Sequence, residues 1–209
     1  MLGILDYGVG NLFSIRSSLA ALGVDSVVTA DQSALSACSA LILPGVGAFE
    51  KAAKKLHDAR LDTFLLSRVD AGIPLLGICL GMQMLFEKSY EYGVHDGLGL
   101  IPGAVRPIAD VIPKGLKIPQ IGWNGLIFPK DHEKSALYHS TEEGKCVYFV
   151  HSYYADTPDE YISAKTEYGA LLTASVEREN VYGCQFHPEK SGNVGLSILR
   201  AFCEIGGCI

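Results

Sequence analysis

Short apolar runs alternate with stretches of helical period through the first half of the chain. Residues 2–5, 25–29, 40–43 and 74–78 read as strands, the third stopped by Pro44-Gly45. Between them, residues 11–22 put Leu12, Ile15, Leu19 and Leu22 on one helical face, and 48–69 read as helix in two pieces. The fourth strand runs straight into a helix predicted over 80–87. This alternation implies right-handed crossovers and a mainly parallel sheet.

The second half has another character. Glycine and proline are dense and periodicity is weak from 93 to 129. Residues 146–150, 161–166, 171–177 and 181–186 then read as strands, some in antiparallel hairpins, with turns at Gly169 and at Glu179-Asn180. A last helix is predicted from Ser191, as N-cap, to about Glu204.

Composition narrows the class. The chain has 209 residues, of which 48% are hydrophobic and 19% charged, against about 25% charged in ordinary domains. That suits one α/β domain spanning residues 1–209, its strands covered on both faces, and excludes disorder, collagen-like repeats and coiled coil. The net charge is −6, and no basic cluster exists beyond Lys51, Lys54 and Lys55, so nucleic acid is not an expected partner. The opening MLGILDYGVG has neither a basic start nor a signal-like apolar run, and no long uncharged stretch suits a membrane. The expectation is a soluble cytoplasmic protein.

The six cysteines form no C-x-x-C pair, which disfavours a zinc ribbon or a thioredoxin-type site. A disulfide framework is not expected either. Each cysteine reads by default as a small buried hydrophobe, except Cys79. It sits in Gly77-Ile78-Cys79-Leu80-Gly81, a strand–G-x-C-x-G–helix sequence with the form of a nucleophile elbow. Side chains two before and two after the nucleophile would collide in so sharp a turn. Glycine at 77 and 81 removes both, leaving Cys79 strained and its sulfur projecting. The N-terminus of the following helix would favour the thiolate.

A thiol nucleophile needs a base. His57, His95, His132 and His139 lie in helical or polar loop sequence and read as solvated. His151 and His187 each follow an apolar strand-like run. Only His187 has a carboxylate at a matching offset: in Gln185-Phe186-His187-Pro188-Glu189, Pro188 favours an extended backbone, so Glu189 lies on the same side as His187 and orients its imidazole. His151 reads instead as a wall or structural histidine. For the oxyanion of acyl transfer, the N–H of Leu80 is one donor, and the loop Pro44-Gly45-Val46-Gly47 offers a second. The Asp6-Tyr7-Gly8 turn, that loop and Cys79 each follow a strand's C-terminal end, which in a parallel sheet puts them on one edge. A nucleotide-binding reading of Gly8-Val9-Gly10-Asn11-Leu12-Phe13 fails for want of the third glycine.

The elbow Gly77-Ile78-Cys79-Leu80-Gly81-Met82-Gln83 with His187-Pro188-Glu189 resembles the class I (triad) glutamine amidotransferases. Asp6-Tyr7-Gly8-Val9-Gly10-Asn11-Leu12, Pro44-Gly45-Val46-Gly47, Gly122-Trp123-Asn124 and Gln185-Phe186-His187-Pro188-Glu189-Lys190-Ser191 resemble, within them, the glutaminase subunits of imidazole glycerol phosphate synthase. The resemblance implies a flavodoxin-like three-layer sandwich with a mainly parallel sheet and antiparallel additions. It implies hydrolysis of L-glutamine to glutamate and ammonia by Cys79, His187 and Glu189, with no metal or organic cofactor. Ammonia would pass to a (βα)8-barrel cyclase that makes imidazole glycerol phosphate and an aminoimidazole carboxamide ribotide in histidine biosynthesis.

By the same resemblance the oxyanion is held at Leu80, Val46 and Gly47. Glutamine is held by Gly45, Gln83, His151, Ser152 and Tyr153, and Asn11, Trp123, Asn124 and Lys190 lie towards the cyclase. The family often has His-Met where this chain has Gln120-Ile121, which bears on the contacts of that loop. The glycines flanking Val46 lead to a further expectation, a peptide poorly aligned until the cyclase binds its ligand. Two alternatives remain: a subunit serving another acceptor such as chorismate, and a catalytically silent subunit that stabilises a partner.

Overall fold

The alternation of apolar side chains within four-residue strands sets the architecture. In a computed structural model describing residues 1–131 and 133–209, β1 (Leu2–Leu5), β2 (Ser26–Thr29), β3 (Ala40–Leu43) and β4 (Leu75–Ile78) pair in parallel in the order β4-β3-β1-β2. The register sets Ile4 beside Ile42 and Ile42 beside Leu76. Because strand side chains alternate between faces, Ile4, Ile42 and Leu76 enter one core while Leu5, Leu41, Leu43 and Leu75 enter the other. Each fully buried Leu or Ile contributes roughly 1.5–3 kcal/mol, so a one-residue slip would forfeit both cores.

Helices cover both faces. α1 (Leu12–Ala21) supplies Ile15 and Leu19 to the first core, as its period predicts, and ends at Gly23, whose φ is +75°. On the other face lie α2 (Gln32–Ser36), α3 (Phe49–Asp58) and α4 (Leu61–Asp70). The break between α3 and α4 falls at Arg60, in the left-handed region at φ 57°. α2 is too short to show a period; its start is fixed by the Asp31 carboxylate, which accepts a hydrogen bond from the Ser33 N–H at 3.0 Å.

The expected helix over 80–87 is a single turn, α5 (Leu80–Gln83). After it the Met84 carbonyl accepts from Leu98 N–H and the Leu85 carbonyl from Leu100 N–H. These bonds pull the chain into β5 (Phe86–Ser89), which pairs with β6 (His95–Asp96) and β7 (Ile101–Pro107). The Gly/Pro-rich stretch thus holds strands that show no clear period, β7 and β8 (Gln120–Gly125) among them. β8 forms an antiparallel pair with β9 (Cys146–His151), and β10 (Tyr153–Asp156) joins β7 to complete a four-stranded sheet.

The remaining strands extend the main sheet: β11 (Ile162–Glu167), β12 (Leu171–Arg178) and β13 (Val181–Cys184). β13 lies parallel to β4 and antiparallel to β12, giving the order β11-β12-β13-β4-β3-β1-β2. Gly169 and Glu179 take positive φ at the two turns. The last helix, α6 (Gly192–Ile205), packs Ile198, Leu199 and Phe202 on the α1 side. Ser191 takes the N-cap position, as expected, but its side chain makes no capping bond. Its hydroxyl donates to the His187 carbonyl at 2.6 Å and accepts from Tyr148 N–H at 2.9 Å, tying the last helix to β9 and the triad segment.

The cysteines depart in part from the buried default. Cys38, Cys79, Cys184 and Cys203 are buried, but Cys146 is exposed and Cys208 half-buried; all six are free thiols. Cys146 starts β9 on its outward face, whereas Cys208, after the last helix, packs only in part against the first core. Among the described residues no helix is long and apolar enough to cross a membrane, and no group of ligating side chains suits a metal ion.

Candidate active site

The C-terminal ends of β1, β3 and β4 lie side by side, so the turn after Leu5, the loop 44–47 and Cys79 share one edge. Cys79 takes φ 55° and ψ −109°, a conformation that costs an L-residue on the order of 1–3 kcal/mol. Close packing holds it there. A Cβ on Gly77 would stand 2.7 Å from the Gly81 carbonyl oxygen, as the elbow argument expects. The need for glycine at 81 comes from elsewhere: its Cβ would meet the Leu43 carbonyl oxygen of the neighbouring strand at 1.9 Å. A Cβ on Gly45 would in turn meet the Gly81 amide nitrogen at 2.6 Å. Elbow and loop 44–47 are therefore pressed backbone to backbone.

His187 arrives from beyond β13. Its imidazole faces the Cys79 sulfur in the same cavity, and its Nδ1 lies 2.8 Å from Glu189 Oε1 on the other side. Both side chains are almost fully buried. Burial alone would lower the imidazole pKa, but the contacts with Cys79 and Glu189 outweigh it and raise it to about 9. At neutral pH His187 therefore carries the proton. Cys79 and His187, 108 residues apart in sequence, thus come together with Glu189 as nucleophile, base and orienting carboxylate.

The other candidates surround them. Cys79, His187, Val46, Gly47, Leu80, Gln83, His151, Ser152 and Tyr153 line one cavity of about 290 Å³, a size suited to an amino acid. No acceptor among the described residues takes the N–H of Leu80, Val46 or Gly47, so these donors are free for a ligand. Gly47 holds its peptide with φ +90°, and Val46 is 42% exposed. A larger cleft of about 780 Å³ at the β11 edge is lined by Ser135, Ser163 and His139, with no hydrogen bond between a serine and the histidine among the described residues.

His151 is buried and neutral. Its Nδ1 lies 2.7 Å from the Tyr153 carbonyl, which can only accept, so the proton sits on Nδ1. Burial lowers its pKa to about 4, the charge on His187 adding to the effect. A neutral imidazole tied through Nδ1 to a carbonyl, with no orienting carboxylate, is a wall of the cavity.

Of the four histidines expected to be solvated, His57 and His139 are, facing Asp62 and Glu204. His95 is half-buried against Phe49, with its Nε2 shielded from solvent. His132 lies outside the described residues.

Of the residues expected to face a partner, Trp123 is 62% exposed, its ring tilted against that of Tyr148 with centroids 4.8 Å apart. Lys190 Nζ sits 5.8 Å from the same Tyr148 ring. Asn11 is half-buried at the start of α1 and its side chain makes no capping bond. Asn124 turns its amide inward, accepting from Gln120 Nε2 and donating to the Glu167 carbonyl, both at 3.0 Å. Gln120, one of the two departures from the family pattern, is fully buried, whereas Ile121 is 61% exposed.

The sequence reading assigned no role to Tyr7 and Gln185. The Tyr7 hydroxyl donates to the Pro44 carbonyl at 2.6 Å and so fixes the start of the oxyanion loop. Burial, with Cys79 nearby, raises its pKa, so it stays a donor. Gln185 lies fully buried with its Nε2 3.7 Å from the Cys79 sulfur. Its signal was the alternation that joins His187 to Glu189, extended one step back.

Comparison with known proteins agrees with this geometry. Residues 3–205 match the family model described as glutamine amidotransferase class-I. The chain is 46% identical to the imidazole glycerol phosphate synthase subunit HisH of Streptococcus sanguinis, over 98% of this chain and 96% of the relative. It is 48% identical to the same subunit of Bacillus velezensis, with the same coverage, and 48% identical to that of Methanothermobacter thermautotrophicus, over 98% of both chains. Among solved structures, one described as a glutamine amidotransferase superposes with a TM-score of 0.75 at 20% identity, covering 99% of this chain and 98% of the other. PurLQS from Thermotoga maritima gives 0.71 at 19%, covering 98% and 97%. At such identities these two speak for the fold alone.

Proposed function

Because the chain belongs to the class-I glutamine amidotransferase family, we propose that it is the glutaminase subunit of an imidazole glycerol phosphate synthase. It hydrolyses L-glutamine to glutamate and hands the ammonia to a (βα)8-barrel cyclase in histidine biosynthesis. The whole chain, residues 1–209, works as one amidotransferase domain. Its six free thiols are in keeping with the reducing cytoplasm, where we place the reaction.

The observation that carries the chemistry is the buried line from Cys79 through His187 to Glu189. Cys79 thiolate attacks the side-chain carbonyl carbon of glutamine, and the oxyanion forms against the N–H groups of Leu80 and Val46 or Gly47. Each well-aligned donor lowers the barrier by about 3 kcal/mol. His187 gives its proton to the departing nitrogen, which leaves as ammonia, and a Cys79 thioester remains. His187, now neutral, takes a proton from water. The hydroxide formed adds to the thioester, the C–S bond breaks, and glutamate leaves with His187 again the imidazolium. Glu189 stabilises that charge and holds the ring.

Gln83 supports the amino-acid end of the substrate. Its two N–H groups donate to the Tyr153 carbonyl at 3.2 Å and to Gln185 Oε1 at 3.0 Å. What remains is its oxygen, an acceptor suited to an ammonium group. His151, Ser152 and Tyr153 complete that wall, while Gly45 lies behind the cavity lining, packed against Leu80 and Gly81. Trp123 and Lys190 meet the cyclase through the face they share with Tyr148, and Asn11 borders it. Asn124 acts there through the backbone of β8, since its amide bonds inward.

The test is ammonia release by the isolated subunit and by its complex with the cyclase and a ribotide ligand. Turnover in the ligand-bound complex is expected to exceed that of the lone subunit by at least about 100-fold, the worth of one oxyanion donor. Equal turnover would overturn the reading of Val46 and Gly47 as a donor aligned by the partner.

A further inference from the structure

A buried chain of hydrogen bonds leads from the cavity wall to the nucleophile, and its polarity is fixed at one end. The Tyr153 carbonyl can only accept. The Gln83 atom 3.2 Å from it is therefore the amide nitrogen. The second hydrogen on that nitrogen needs an acceptor, which fixes the atom 3.0 Å away as Gln185 Oε1. The Gln185 amide is then oriented with Nε2 towards the Cys79 sulfur, at 3.7 Å, within the range of an N–H···S bond. All of this lies out of water: Gln185 has no exposed surface and Gln83 is 6% exposed.

We propose that Gln185 is a further catalytic residue: its amide donates a hydrogen bond to the Cys79 sulfur, holding the thiolate in place. The proposal rests on the glutaminase reading and deepens it. In the mechanism above the sulfur is an anion before attack and again as the C–S bond of the thioester breaks. A neutral amide donor keeps its hydrogen throughout, so it steadies the sulfur both before attack and as the thioester breaks. Buried beside a charged acceptor, such a bond is about twice as strong as a neutral one. Because the same amide holds Gln83, the wall that grips the substrate and the atom that attacks it belong to one network.

The experiment uses the full-length subunit in complex with its cyclase. Alkylation of Cys79 by iodoacetamide is followed against pH by peptide mass, which separates it from the exposed Cys146 thiol. Gln185→Met keeps the length of the side chain and removes the donor. Gln185→Glu keeps an acceptor for Gln83 and sets a carboxylate against the sulfur. Both are expected to move the alkylation midpoint upward by about one pH unit, a tenfold loss of thiolate at a given pH. Gln185→Glu is expected to lower kcat at least tenfold with KM within about twofold, whereas Gln185→Met changes both. Unshifted midpoints in folded variants would overturn the proposal.

Should the variants fail to fold, the wild-type chain still decides. The Gln185 side-chain amide resonances are expected to titrate together with Cys79 and to lose that step in Cys79→Ala. Amide resonances that ignore the thiol would overturn the proposal equally. If instead the wild-type complex releases no ammonia from glutamine, it is the glutaminase reading that fails, whatever the amide does.

Discussion

A single imidazole illustrates how neighbours decide chemistry. His187 and His151 are both buried, yet one is held near pKa 9 and the other near 4. The difference is the company each keeps, since only His187 has Glu189 and the Cys79 sulfur to favour its charge. Removing the carboxylate in Glu189→Gln weakens the hold on the imidazolium and lowers the His187 pKa. Ammonia departure needs that proton, so the wild-type rate is expected to fall above about pH 9, and the variant's at lower pH. At pH 8 a loss of at least about tenfold is expected, and a pH–rate profile in the complex checks it.

For His151 the sign is opposite. Its pKa is depressed from 6.5 to about 4, so the unfolded chain takes up a proton that the native one refuses. Stability present above pH 6.5 is lost as pH falls towards 4, by up to roughly 3 kcal/mol. His151→Asn, whose amide can still donate to the Tyr153 carbonyl, is expected to flatten that loss in urea unfolding at pH 7 and pH 5. The sequence supplied the triad through one spacing rule. It was silent on Tyr7 and put Gln185 only on the same side as His187, because their roles depend on a carbonyl and a sulfur distant in sequence.

Elements were legible where an apolar period ran long enough to show itself. β1 and β3 begin and end where the pattern places them, and α1 agrees within one residue at each end. The elbow helix was read four residues too long, since the bonds that end it come from Leu98 and Leu100 beyond a turn. β7 and β8 went unread among their glycines and prolines for the same reason: their partners are remote.

The elbow also shows how a motif can be right for an incomplete reason. Gly81 is required less by Gly77 than by Leu43 on the next strand. Gly81→Ala is expected to cost at least about 3 kcal/mol in urea unfolding, at the upper end for an overpacked site, and to abolish activity. Gly72→Ala is the contrast. It has φ +81° but open space around its Cβ position, so it is expected to cost only about 1 kcal/mol and leave activity unchanged.

At the scale of the molecule, a parallel sheet gathers three loops on one edge and supplies two cores to hold them still. The antiparallel strands β11 to β13 then carry the chain back, so that the segment after β13 brings His187 to Cys79. The separate β8–β9 pair turns apolar side chains outward at Trp123 and Ile121, as expected of a subunit that works against a partner. Such a design separates making ammonia from using it, and that separation is the central claim.

It is tested most directly by assaying the Cys79→Ala subunit, in complex with the cyclase, for synthesis from glutamine and from added ammonia side by side. Glutamine-dependent synthesis is expected to vanish while the ammonia-dependent rate stays within about twofold of wild type, as it must if the thiol only supplies the nucleophile. Loss of both activities together would contradict the account, because Cys79 would then be serving the assembly instead of the attack.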